Sequence, residues 1–154
     1  MSRRTSTKHI CRTKTPASAH LVGRDVRNAS NTYVHFRAGS KSKRATTEQI
    51  AYKGNTGTEE AYGCNIMTVD QTIASQYEYT ATFINVVSED QACVCFNKIG
   101  PDGQIDGSWS GNEAISFTLP AGSTKIVAFD ANSQGGCVCG IGKVPTANGQ
   151  FAGT

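Results

Sequence analysis

The chain has little bulky apolar material: counting alanine and cysteine, hydrophobic residues make up 38% of its 154 positions. No stretch approaches the roughly 20 consecutive apolar residues that cross a bilayer as a helix. The opening Met1-Ser-Arg-Arg4 is not followed by an apolar run of about 7 to 15 residues, so the sequence as it stands predicts no signal peptide. All three histidines, His9, His20 and His35, lie in the first 50 residues, so residues 51–154 have none. This excludes Ser/His/Asp and Cys/His nucleophile arrangements from the later part of the chain. Phosphate-cradling glycine motifs and dinucleotide fingerprints are also missing, and no cofactor is expected. A carboxylate pair drawn from Asp102, Asp106 and Asp130 is what remains for hydrolytic chemistry, and the sequence does not set their spacing.

The charge that is present is unevenly placed. Residues 1–50 carry eleven lysines and arginines against Asp25 and Glu48, a net +9. Residues 51–154 carry four lysines against ten acids, a net −6. The first part mixes Ser, Thr, Lys, Arg and Asn with few large apolar residues, a composition too poor in buriable surface to offset ordering entropy. It is expected to be a mostly disordered basic leader or solvated linker over 1–50, ahead of one domain over 51–154. Within it, Thr32–Arg37 alternates and is a candidate edge strand. The Lys43-Arg44 pair is open to a processing protease, and Asn28-Ala-Ser30 has the pattern of an N-glycan acceptor.

Past residue 60 the chain reads as strands. Ile115, Phe117 and Leu119 alternate with polar or small residues, the period-2 pattern of a half-buried strand. Leu119-Pro-Ala-Gly-Ser123 supplies turn chemistry, and Lys125–Phe129 is the expected returning strand of a hairpin. Tyr77–Val87 is rich in aromatic and β-branched residues, with Ala92–Ile99 as its expected hairpin partner across Ser88–Gln91. Asn65–Val69 and Gly136–Ile141 complete about six strands. Sixteen glycines fit many turns. The expected fold is all-β, an antiparallel sandwich or open barrel.

Six cysteines stand at 11, 64, 93, 95, 137 and 139. The last four form two Cys-x-Cys pairs on expected strands, and three states compete: disulfides, reduced buried thiols, or a soft metal such as zinc or copper. Residues i and i+2 on one strand are about 6.7 Å apart at roughly 3.3 Å rise per residue, a poor fit to one tetrahedral zinc. Cross-strand neighbours lie within about 4.5 to 5.5 Å at Cβ, close to disulfide reach. If strands 92–99 and 136–141 are antiparallel neighbours, Cys93 faces Cys139 and Cys95 faces Cys137, and disulfides are favoured over a metal site. Cys11 and Cys64 are left over, with their pairing open.

The segment Gly100-Pro-Asp-Gly-Gln-Ile-Asp-Gly-Ser-Trp-Ser-Gly-Asn112 is the most loop-like and holds the sole tryptophan. Binding residues concentrate on such loops. Trp109 can stack on a sugar ring while Asp102, Asp106 and Asn112 bond its hydroxyls; the bland alternative is turn residues with the tryptophan folded onto the core. Asp102, Gln104 and Asp106 also suggest a calcium loop, but the downstream bidentate acid of an EF-hand is missing. Asp130–Gln134 follows a strand and is expected near the same rim or, equally, as simple turns.

Tyr52-Lys-Gly-Asn55, Phe96-Asn-Lys-Ile-Gly-Pro-Asp-Gly103 and Val127-Ala-Phe-Asp130 with Asn132-Ser-Gln-Gly135 resemble, in order and spacing, the secreted fungal allergen family typified by Asp f four of Aspergillus. The resemblance implies an extracellular fungal protein with allergenic potential and no established enzymatic activity, and it supplies no catalytic positions. The leading reading is a non-enzymatic interaction protein that binds cell-wall or host glycans, or a host protein. A stapled loop scaffold also suits inhibition of a host secreted protease. A basic arm on a β-sandwich suits a coat-type protein holding nucleic acid, a reading the acidic domain disfavours.

Overall fold

A computed structural model describes residues 33, 36, 52–58 and 61–152. Six main strands build two three-stranded antiparallel sheets. In chain order, two short strands come first, β1 (Gly57–Thr58) and β2 (Ala61–Tyr62), paired as a ribbon. Then follow β3 (Ile66–Val69), β4 (Tyr79–Ile84), β5 (Gln91–Asn97), β6 (Ile115–Leu119), β7 (Thr124–Phe129) and β8 (Gly135–Ile141). A second ribbon, β9 (Thr146–Ala147) with β10 (Gln150–Phe151), closes the described chain. One sheet has the order β3-β7-β4 and the other β6-β5-β8.

Strand alternation sorts the core. Ile66, Phe83, Val127 and Phe129 from the first sheet meet Cys93, Cys95, Ile115, Phe117 and Leu119 from the second, the inner faces of a sandwich. Phe83 and Phe117 pack edge to face across this gap with centroids 5.7 Å apart. The outer face of the first sheet is not bare: Met67, Val69, Ile126 and Ala128 are covered by Ile73 and Tyr77 from the β3–β4 connection. Tyr33 packs tilted against Tyr77 and Phe36 meets it edge to face, with ring centroids 4.9 and 5.7 Å away. Neither of these two lies in a strand. The rest of the candidate Thr32–Arg37 strand, like the leader disorder, Cys11, Asn28 and Lys43-Arg44, lies outside the described residues.

Both expected hairpins are corrected. β4 pairs with β7, not with β5, and β6 pairs with β5, not with β7. The connections 85–90 and 120–123 are therefore arches that carry the chain from one sheet to the other. Buried Asn85 sets the first arch, its Nδ2 donating to the carbonyls of Glu89 and Leu119 at 2.8 and 2.9 Å while its Oδ1 accepts Val87 N–H. Asn85 N–H also donates to Ser123 O. One side chain and its backbone thus tie the end of β4 to the end of β6 and the start of β7, and leave no geometry for a β4–β5 hairpin.

At the opposite end, Asn65 and Asn97 exchange hydrogen bonds between the sheets, at 2.8 and 3.1 Å, with both residues almost wholly buried. Asn65 Nδ2 also reaches Asn55 O at 2.7 Å, and Asn55 Nδ2 donates to Asp130 Oδ2 and Ala131 O. Buried amides of this kind stabilise only when their partners are present.

β5 and β8 run in the register Cys93↔Cys139 and Cys95↔Cys137. Both pairs are disulfides, with Cα atoms 4.1 and 4.0 Å apart, the narrow spacing of non-hydrogen-bonded cross-strand pairs. Cys64 is bridged as well, and no cysteine among the described residues is free. The two β5–β8 bridges close nested loops with sequence separations of 46 and 42. In the loop-entropy picture the first contributes about 4 kcal/mol, while the second then closes only a small ring and adds little. Calorimetry should therefore show strong non-additivity. Cys93→Ala/Cys139→Ala alone lowers the melting midpoint only by the packing of the lost sulfurs, and removing the second pair as well lowers it further by more than about 10 °C. Equal losses for the two steps would contradict the nested arrangement.

Candidate functional site

The β5–β6 connection, residues 98–114, is held at its root. Lys98 N–H donates to Gln134 O at 2.7 Å, and Tyr62 Oη donates toward the carbonyls of Ile99 and Asn112 at 2.9 and 3.3 Å. Burial pushes the Tyr62 phenol up to about 12, so it stays protonated as a donor over the whole accessible pH range. At the tip, Asp102 Oδ1 accepts Gln104 N–H at 2.9 Å, and Gly103, at φ +87°, closes a turn onto Gly100 O. The second half is a tight coil: Trp109 N–H donates to Asp106 O, Asn112 N–H to Trp109 O, and Asn112 Nδ2 back to Asp106 O, each at 2.9 Å.

Trp109 is the exposed feature of this loop, with 45% of its surface accessible. It does not fold into the core. It forms an antiparallel bridge with Gln150, and its ring lies over Gly149 so closely that a Cβ there would sit 3.1 Å from the ring. Ser110 N–H donates to Gly149 O and Phe151 N–H to Ser108 O, at 2.9 and 2.8 Å. Ser108 Oγ stands 3.3 Å from Gln150 Oε1. The ribbon is itself seated by Phe151 stacked on Phe96, centroids 5.6 Å apart. Sequence reasoning missed this platform, although its signal was present: Asn148-Gly149, with φ of 51° and 79°, is the dipeptide of a tight two-residue hairpin turn.

The four loop residues singled out by sequence have different fates. Trp109 presents a face, and Asp102 is exposed at the tip with one oxygen committed to its turn. Asn112 is half-buried and spends its amide within the loop. Asp106 tucks under Gly100, with Oδ1 enclosed and without a hydrogen-bond partner. Desolvation, then the neighbouring Asp102 carboxylate with which it shares a hydrogen bond, push the Asp106 carboxyl above the usual range. On the ribbon side, Gln150 is bridged to Trp109 and its Oε1 stands near Ser108 Oγ. Asp130 lies elsewhere, in an open concavity of about 580 Å³ lined by Glu78, Tyr79, Thr80, Phe129, Asn132 and Ser133 as well. Among the described residues no group of three or more His, Cys, Asp or Glu is placed to hold a metal ion.

The Asp106 carboxyl generates a signed pH prediction. Because its folded-state affinity for a proton exceeds its unfolded one, it costs stability above its raised pKa, and that cost fades as pH falls below the unfolded value near about 3.9. Asp106→Asn, whose amide can donate to Asp102, therefore raises the melting midpoint at neutral pH and loses that advantage in acid. A variant less stable than the native chain at neutral pH, or a gain that grows in acid, would contradict this.

Comparison with known proteins converges on one family. The model of the Allergen Asp f 4-like domain matches residues 64–154. Allergen Asp f 4 of Aspergillus fumigatus is 46% identical over 86 residues, which is 56% of this chain and 26% of that protein, so the chain spans only about a quarter of the relative's length. No solved structure matches. With the family model covering more than half of its length, this all-β chain belongs to the Allergen Asp f 4-like domain family.

Proposed function

We propose that the protein is a non-enzymatic, extracellular interaction domain that binds a cell-wall or host glycan across the face of Trp109. One observation carries this reading: a tryptophan ring 45% exposed yet seated on a glycine of a hydrogen-bonded ribbon. Burying so large an apolar surface in the domain would be favourable, and the ribbon instead holds it outward. A sugar ring stacked on it would find Ser108 Oγ and Gln150 at one side and the Asp102 tip on the same loop. Paired disulfides suit an oxidising compartment.

The sole tryptophan is also the reporter. Titrating the full chain with hits from an array of fungal-wall and host glycans should shift its fluorescence. Trp109→Ala should lower affinity about tenfold with the circular dichroism of the strands unchanged, the order of one lost aromatic stacking contact. An array with no binder, or a variant that binds as well as the native chain, sinks the proposal.

A further inference from the structure

Strand β4 is an edge of the first sheet: among the described residues it pairs with β7 alone. Its residues Tyr-Thr-Ala-Thr-Phe-Ile carry no charge and no proline, the usual devices that protect an edge from pairing with another chain. The other edges differ. β3 and β6 are mostly buried, and β8 runs through glycines that present few side chains to a partner. β4 has four of its six residues exposed. Large exposed apolar side chains gather on and just after it: Tyr79 at 49%, Ile84 at 63% and Val86 at 87%.

We infer that this edge is a self-association surface and that its occupant is β4 of a second copy, joining two three-stranded sheets into one of six strands. The strand is complementary to itself. A two-fold axis perpendicular to the sheet keeps inner residues opposite inner residues, so odd positions must face odd and even face even. Placing the axis on Ala81 pairs Tyr79 with the partner's Phe83, Thr80 with the partner's Thr82, and Ala81 with the partner's Ala81. These are aromatic–aromatic, Thr–Thr and small–small pairs, the favourable cross-strand combinations. The charges agree as well. In a domain of net −6, the nearest acid, Glu78, falls opposite the partner's Ile84, so no like charges meet along the seam. One strand of contact is smaller than the roughly 1,200 Å² at which standard interfaces begin, so the dimer is reversible and concentration-dependent.

Sedimentation of the full chain under non-reducing conditions, from micromolar to millimolar protein, should show a monomer–dimer equilibrium. Thr80→Lys/Thr82→Lys places two lysine–lysine pairs across the seam and should weaken the dimer at least about tenfold. Thr80→Lys/Thr82→Glu turns the same positions into two opposite-charge pairs in this register and should restore or tighten it. The second variant also answers the case in which the first fails to fold. A monomer at every concentration overturns the inference and leaves the edge to an extended segment of another protein. A dimer indifferent to the lysine pair, or one that the Lys/Glu pair does not restore, overturns it equally.

Discussion

Two carboxamides hold the end of the sandwich from which the Trp109 loop departs. Asn65 stands just before β3 in one sheet and Asn97 ends β5 in the other, and each donates to the other through nearly zero solvent exposure. In a site this dry an amide pair is worth keeping only if every donor finds an acceptor, because a single orphaned group costs about 1 to 3 kcal/mol. The neighbours supply them: Asn55 O takes a further proton of Asn65, and Ser133 Oγ stands 3.0 Å from the same nitrogen. The β5–β6 loop leaves the sandwich at Lys98, one residue beyond Asn97, and is fastened there to Gln134 of the β7–β8 link. The position of Trp109 is thus set from a fixed origin, with Tyr62 bracing the loop a few residues further on.

The disulfides solve a different problem. β8 reads Gly-Gly-Cys-Val-Cys-Gly-Ile, and Val138 is its only buried residue. Glycines lose more backbone entropy on folding than other residues and bring no side chain to bury, so a strand of this composition is weakly held by packing. Two covalent links to β5 hold it instead. Their sulfurs are not spent on linkage alone, since Cys93 and Cys95 are core residues that pack with Ile66, Ile115 and Phe117 between the sheets. A domain low in large apolar residues gains both functions from the same four positions.

The strands were legible in the sequence and their partners were not. Alternation at Ile115, Phe117 and Leu119 tells which side of a strand faces inward, and all three are indeed buried. It does not tell to which of two facing sheets the strand belongs, because both sheets present their apolar side to the same gap. Leu119-Pro-Ala-Gly-Ser123 makes a turn in a hairpin or an arch alike. The choice falls to Asn85, whose buried amide bonds Leu119 O, and a buried asparagine looks the same in sequence as one in an exposed turn. The cysteine register was legible once β5 and β8 were taken as antiparallel neighbours, because a disulfide imposes a distance and that pairing meets it twice. The Trp109 loop was legible as a loop, while its platform depended on contacts some 40 residues away.

That platform explains why an exposed tryptophan is compatible with a well-ordered loop. Gly149 does two things that no other residue can do together: it takes the φ of +79° that closes the Asn148-Gly149 turn, and it leaves the space the indole occupies. Any side chain there would strain the turn and lift the ring. Backbone bonds on both sides of the ribbon, from Ser110 to Gly149 and from Phe151 to Ser108, then hold loop and ribbon together while one indole face stays in water. A ring held this way has already lost its conformational freedom before anything binds, so a partner that stacks on it does not have to supply that ordering cost. The ordering comes from the hairpin turn and from Phe151 on Phe96, which is why the exposed face of Trp109 depends on a ribbon some 40 residues further along the chain.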